Sequence, residues 1–449
     1  MDMMTRPFVN SISMWVAIAI LVCTPLALGG NRPLVWPIVL AILSLTLVLN
    51  AAVLMAISAK PAVSLASFRL EVLLIITFLC FAVLQIVPLR NLSGLDAYGL
   101  PANQTLSVAP AESFLFLLTW LNVFILGYLV LQFTRNETRS IEFLNLLFWV
   151  VVIHAALGFV LFHEFEDATI IGPKWAYLGS MTGGFVNRNT FATFLASGAA
   201  VGTALVLRDL KSDSGPRTGA KIASSLFKLM GLLLIMAVLF GTGSRMGLFV
   251  GVLGVFLTIF IVLPKQIGAG RPVAKLLAMV VIALSVLAVI LWGYGGQTIE
   301  RLGSVERASD VRFELYEQTW SMIMARPWSG FGGGAYELAF PLFHQPEVSV
   351  DLLWQKAHNS YLGLWADYGL VFGTMPWLIL LIVFVRLAIC FLSRSTPDYA
   401  AASAIVVAII AMIHALVDFS LEIQGYALLF TAILATGASR LTLDQRQSQ

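Results

Sequence analysis

From Leu229 to Leu263 the chain runs for 35 residues with one charged side chain, Arg245. As a single helix rising 1.5 Å per residue it would be about 50 Å long, against roughly 30 Å of hydrocarbon in a bilayer. It therefore has to turn. Gly241-Thr242-Gly243-Ser244-Arg245-Met246-Gly247 is the glycine-rich place to do so, which puts an arginine at the membrane surface between two spans. Apolar runs interrupted by short polar seams recur along the whole sequence. With 59% hydrophobic residues, 11% charged and a mean hydropathy of +0.90, the chain is too apolar for a soluble domain.

Counting runs of roughly 20 apolar residues predicts an all-α, polytopic membrane protein with about twelve transmembrane helices. They lie near 13–29, 34–57, 70–89, 113–133, 143–162, 190–207, 226–241, 246–263, 275–293, 370–391, 401–417 and 424–438. Asp367 and Gly369 interrupt the apolar run after His358, which predicts a short interfacial helix at 358–368 ahead of the span proper. The first run has only Arg6 before it and reads as an uncleaved anchor, not a secretory signal. With the N-terminus in the cytoplasm, about 17 of the 27 Lys and Arg residues fall in inner loops, so both termini are expected inside. The segments at 90–112, 163–188 and 294–358 then face out, and the investment in long loops is on that side. We divide the chain into an N-terminal bundle at 1–180, a second region at 181–440 that includes the 294–358 loop, and a tail at 441–449.

The net charge of +3 and the lack of a basic block interleaved with aromatics exclude a nucleic-acid partner. Cys23, Cys80 and Cys390 lie in separate apolar segments and read as small buried hydrophobes. No DxD pair occurs, which argues against a metal-dependent nucleotide-sugar transferase; no metal site or cofactor is predicted.

Four places hold the candidate chemistry. Arg245 either fixes the depth of its hairpin by snorkelling or points inward to an anion. In the long outer loop, Ser309 to Trp320 reads as a helix starting at Ser309 and stopped by Pro327, with Arg312, Tyr316, Trp320 and Ile323 on one face. Arg312 there either meets an anion or pairs on the surface with Asp310 or Glu314. Arg301 and Arg307 read as solvated charges. His358 precedes Asn359 and Ser360, either of which can cap a helix, so its imidazole lies at a helix N-terminus where the macrodipole disfavours protonation. A neutral imidazole is a competent general base, and free N–H groups there would hold a phosphate oxygen. Finally, His414 and Asp418 stand four apart on one helix face and read as a structural pair. Glu164, Glu166 and Asp167 could hold a divalent ion, but carboxylates in an outer loop read first as solvated; His154, His163 and His344 have no partner at useful spacing.

Taken in order, Gly184-Phe185-Val186-Asn187-Arg188-Asn189-Thr190-Phe191-Ala192, Thr242-Gly243-Ser244-Arg245-Met246-Gly247, Arg312 with Trp320 and the Pro327–Gly334 stretch, and His358-Asn359-Ser360-Tyr361-Leu362 with Gly369-Leu370 resemble the O-antigen ligase and O-antigen polymerase superfamily. His414 to Phe419 resembles the late span of that group, and the likeness covers roughly residues 180–435. The resemblance implies a GT-C-like, inverting, metal-independent glycosyltransferase of the bacterial inner membrane with its active site on the periplasmic side. Its donor would be a glycan on undecaprenyl pyrophosphate and its acceptor a hydroxyl on lipid A-core or a similar glycan or lipid. A polysaccharide polymerase with the same chemistry is the alternative; a transporter or flippase of the same lipid fits less well. By the same likeness Arg245 and Arg312 would hold the pyrophosphate and His358 would stand by the acceptor. Asn187, Arg188 and Asn189 would contact substrate, and Tyr316 and Asn359 complete the candidate set.

Overall fold

In a computed structural model, the protein is described over residues 2–88, 104–211, 219–267, 298–348 and 353–444, and its regular structure within these is helical, with no strands. The principal helices are α1 (Asp2–Leu26), α2 (Val35–Ala56), α3 (Arg69–Ile86), α4 (Pro110–Phe133), α5 (Glu137–Glu164), α6 (Arg188–Leu210), α7 (Gly219–Gly241) and α8 (Arg245–Ile267). After them come α9 (Thr298–Ala325), α10 (Ser360–Ser393), α11 (Tyr399–His414) and α12 (Gln424–Ala438). Nine helices among the described residues are long and apolar enough to cross a membrane, and α11 and α12 are shorter apolar helices. These eleven coincide with eleven of the twelve expected spans. The expected span at 275–293 lies outside the described residues, as do the side chains of Arg301 and Arg307. The chain is a polytopic α-helical membrane protein.

Helix α6 is the axis of the bundle: its apolar stretch is 94% buried, where α2 is 22%. Its sequence explains this. Ala192, Ala196, Ser197, Gly198, Ala199, Ala200, Gly202 and Thr203 present little but backbone, and small residues let helices approach closely where no water drives them together. A Cβ at Gly198 would lie 2.4 Å from Val151 of α5, and one at Gly247 of α8 would lie 2.3 Å from Ala192. At one end of the bundle, charges are closed into pairs: Arg440 with Asp398 (2.9 Å), Lys228 with Asp209 (2.6 Å) and Arg386 with Glu71. The other end carries the site.

Two expectations about that end are met. The chain turns between Gly241 and Arg245, and α10 is two helical pieces joined at Gly369, whose φ of 73° breaks the helix. The break is enforced by packing. A Cβ at Gly369 would stand 2.5 Å from the Trp328 carbonyl oxygen, and Leu370 N–H donates to Pro327 O at 2.7 Å. A side chain at 369 would therefore push the Pro327–Gly334 loop off α10. One expectation is corrected: α9 begins at Thr298, not at Ser309. Glu, Arg, Leu and Ala dominate residues 300–308 and favour helix, so Ser309 is carried inside it.

Candidate functional site

The loop between α11 and α12 brings Asp418 under the N-terminus of α10. Its carboxylate is 1% exposed, with Oδ1 3.8 Å from His358 Nδ1 and Oδ2 4.0 Å from His414 Nδ1. Ser420 Oγ donates to Asp418 Oδ2 at 2.8 Å, and Asn189 Nδ2 approaches Oδ1 at 3.5 Å. Burial alone would push this carboxyl up. His358 beside it, then His414 and the Ser420 hydroxyl, outweigh that and hold it below the usual carboxylate range. Asp418 is thus a buried anion facing two imidazoles, not the partner of His414 alone. His414 is its neighbour in sequence, whereas His358 reaches it from another loop and leaves no trace in the local spacing.

His358 is placed by strain and by contacts. Its φ is +50°, a left-handed backbone that costs a non-glycine residue about 1–2 kcal/mol. Its carbonyl accepts the Tyr316 hydroxyl at 3.0 Å, and its ring stands edge-on to Phe419 (5.0 Å) and Trp354 (5.9 Å). With Nδ1 turned to Asp418, the geometry assigns the proton to Nδ1 and leaves Nε2 as the basic nitrogen. Burial pushes the Tyr316 hydroxyl up, so it stays a neutral donor.

Asn359 is the α10 cap, as expected, but it uses itself up. Its Oδ1 accepts from Tyr361 and Leu362 N–H, its Nδ2 donates to Leu416 O at 3.0 Å, and Ser360 N–H donates to Ala415 O. The expected free N–H groups for a phosphate at this helix start are therefore absent. Any anion at the site has to be held by side chains.

Three arginines stand toward this end of the bundle. Arg188, at the start of α6, lies with its plane 5.5 Å from the Tyr177 ring centre, and its Nη1 is 3.4 Å from Ser180 Oγ. Its buried Nε has no partner, and among the described residues no carboxylate pairs with it. With Nη1 on Ser180 and Nε open, this half-buried guanidinium keeps a donor that an anion could accept from. Gly243 brings the α7–α8 turn beside Arg188: a Cβ there would sit 3.6 Å from Arg188 Nη1. Exposed Arg245 follows two residues later at the first position of α8. Exposed Arg312 lies one turn before Tyr316 on α9. Burial and the Asp418 charge raise the Tyr177 hydroxyl while Arg188 and Arg312 pull it down, so one phenol lies within the fields of Asp418, Arg188 and Arg312.

Asn189 ties these groups together. Its Oδ1 accepts the Ser244 hydroxyl at 2.8 Å, next to Arg245, while its amide nitrogen faces Asp418. Asn187 caps α6 through its Oδ1, and its buried Nδ2 has no partner. The site residues expected from sequence thus gather at one end, with Asp418, Ser420 and Tyr177 added. Elsewhere, Asp167 is engaged by Lys174 (2.5 Å) and Gly179 N–H and is not simply solvated. His154 and His344 bind backbone carbonyls away from the site.

Fold and site together define a polytopic membrane protein with an aspartate-backed histidine and an arginine cluster at one face of the bundle. Residues 230–378, about a third of the chain, match the family model described as O-Antigen ligase, which places this region in the O-antigen ligase-like superfamily. Arg245, Arg312 and His358 lie within that span; Arg188 and Asp418 lie outside it. No curated protein matches the chain.

Proposed function

We propose that this protein is a GT-C-like, inverting glycosyltransferase that moves a glycan from undecaprenyl pyrophosphate to an acceptor hydroxyl, on the periplasmic face of a bacterial inner membrane. The observation that carries the reading is His358 backed by buried Asp418 at 3.8 Å, beside Arg188 with its unsatisfied Nε. His358 Nε2 takes the proton of the acceptor hydroxyl as its oxygen attacks the anomeric carbon. The bond from that carbon to the pyrophosphate oxygen breaks, and the electron pair leaves with the lipid pyrophosphate. Attack opposite the leaving group inverts the anomeric centre. The charge growing on the pyrophosphate is met by Arg188, Arg245 and Arg312, so the site needs no metal. Asp418 stabilises the imidazolium as it forms, as the buried carboxylate behind the histidine does in serine hydrolases.

The family match supports a ligase or polymerase and does not separate them. Purified protein given a lipid-linked glycan and lipid A-core, or a second lipid-linked glycan, tests both. A new glycosidic bond of inverted configuration to either acceptor is the expected result. No bond to either, with glycan-lipid translocation in liposomes, would falsify the enzyme reading.

A further inference from the structure

His414 closes α11, and the chain turns back at once: the N–H groups of Val417 and Asp418 both donate to the His414 carbonyl at 3.1 Å. That turn folds the loop over the His414 ring, which is 1% exposed and therefore out of reach of a substrate. Its Nδ1 stands 3.3 Å from Ser420 Oγ and 4.0 Å from Asp418 Oδ2, and its Nε2 has no hydrogen-bond partner among the described residues. At 4.0 Å the imidazole does not hydrogen-bond the carboxylate directly. It reaches it through the serine.

Counting protons fixes the direction. Ionised Asp418 can only accept, so the single Ser420 hydroxyl proton goes to Oδ2 at 2.8 Å. Ser420 Oγ is then left as an acceptor toward His414, which puts a proton on Nδ1. A second proton on Nε2 would be a buried donor with nothing to meet, so the ring is the neutral Nδ1–H form. Thr193 Oγ1, 3.3 Å from Ser420 Oγ, is no rival donor, because its proton goes to Asn189 O at 2.8 Å. The donors therefore run one way, from His414 Nδ1–H to Ser420 Oγ–H to Asp418 Oδ2. With Oδ2 held from behind, Oδ1 is the oxygen turned to His358 Nδ1 at 3.8 Å, and Asn189 Nδ2 steadies it at 3.5 Å.

We propose that His414 is a positioning residue for the transfer: acting through Ser420, it fixes which carboxylate oxygen of Asp418 faces His358, and at what angle. The inference rests on the glycosyltransfer reading above. It adds a role for the one imidazole of the site that touches no substrate. Without the relay the carboxylate is free to rotate about its Cβ–Cγ bond and meets the developing imidazolium less well. Transfer then slows while the donor binds as before. One hydrogen bond to a charged group sets the scale, about tenfold in rate.

Two measurements test this. The first needs no turnover. In full-length protein carrying isotope-labelled histidine, the ring-nitrogen resonances of the five histidines are assigned by single substitutions. His414 should show a protonated Nδ1 and a bare Nε2, and Ser420→Ala should move its Nδ1 resonance. A bare Nδ1, or a resonance indifferent to Ser420→Ala, overturns the proposal.

The second is single-turnover transfer at saturating donor, with donor binding measured separately. His414→Leu keeps the volume and loses the donor group. It should slow transfer about tenfold and leave donor binding within about twofold, and Ser420→Ala should do the same. His414→Leu combined with Ser420→Ala should be no slower than the slower single variant. His414→Asn places an amide nitrogen where Nδ1 stood and should return to within about threefold of wild type; His414→Gln, whose amide lies one bond further out, should not. Three results overturn the proposal: weaker donor binding at an unchanged rate, rates within about twofold of wild type in both His414→Leu and Ser420→Ala, or equal rates for the three His414 substitutions. Should His414→Leu not elute as a folded monodisperse peak, Ser420→Ala, which removes one oxygen, decides the matter. Absence of transfer by the wild-type protein would defeat the glycosyltransfer reading and this inference together; an active wild type with one of those three results defeats the inference alone.

Discussion

Replacing Asp418 by Asn removes one negative charge and almost no volume. The carboxylate faces His358 Nδ1 at 3.8 Å with 1% of its side chain exposed. Two unit charges at that distance interact by about 4 kcal/mol at an effective dielectric of 20. On the proposed mechanism that attraction grows as His358 takes the acceptor's proton, so it acts on the transition state. An asparagine dipole recovers part of it, leaving an expected loss of about 2–4 kcal/mol, or roughly 30- to 1000-fold in the transfer rate. Donor affinity should not suffer, because the lost charge is negative and the head of the proposed donor is an anion. The assay is single-turnover transfer of a labelled lipid-linked glycan in nanodiscs, with donor binding measured separately. In a cycle with His358→Ala, the double variant should be no slower than the slower single one, since the two residues act as a unit. A rate within threefold of wild type, strictly additive losses, or weaker donor binding at unchanged rate would refute the reasoning.

Other expectations concern the frame around this pair. Arg245→Lys keeps the charge but loses the planar fork, and should slow transfer at least tenfold with expression unchanged; full activity would remove Arg245 from the pyrophosphate site. Burial would pull the Lys356 ammonium down, but Glu422, with Asp367 and Glu337, holds it above its usual value. The stability it contributes is therefore complete below about pH 10.4, its unfolded value, and lost as pH rises further. Glu422→Gln should lower thermal stability by about 3 kcal/mol, and Lys356→Met with Glu422→Leu should recover most of it; equal losses would contradict the pairing. Asp418 is depressed, so the stability it adds persists above about pH 4 and fades as acid protonates the folded form. The thermal-shift gap between wild type and Asp418→Asn should close below that pH. Gly369→Ala combines a left-handed φ with backbone contact at 2.5 Å and should cost more than about 2 kcal/mol, read as loss of folded protein on size exclusion.

Much of the frame was legible because its rules are local. Span lengths follow from bilayer thickness, the turn before Arg245 from an impossible helix length, the α10 break from Gly369, and the cap from Asn359. The start of α9 was misread because Ser309 is a good cap in isolation, whereas the helix formers before it extend the helix through it. The site's centre was harder. Asp418 pairs with His414 by spacing and with His358 only through the tertiary fold, and no period in the sequence records that. Tyr177 and Ser180 beside Arg188 belong to an irregular loop held by Lys174 and Asp167, which has no sequence signature of its own.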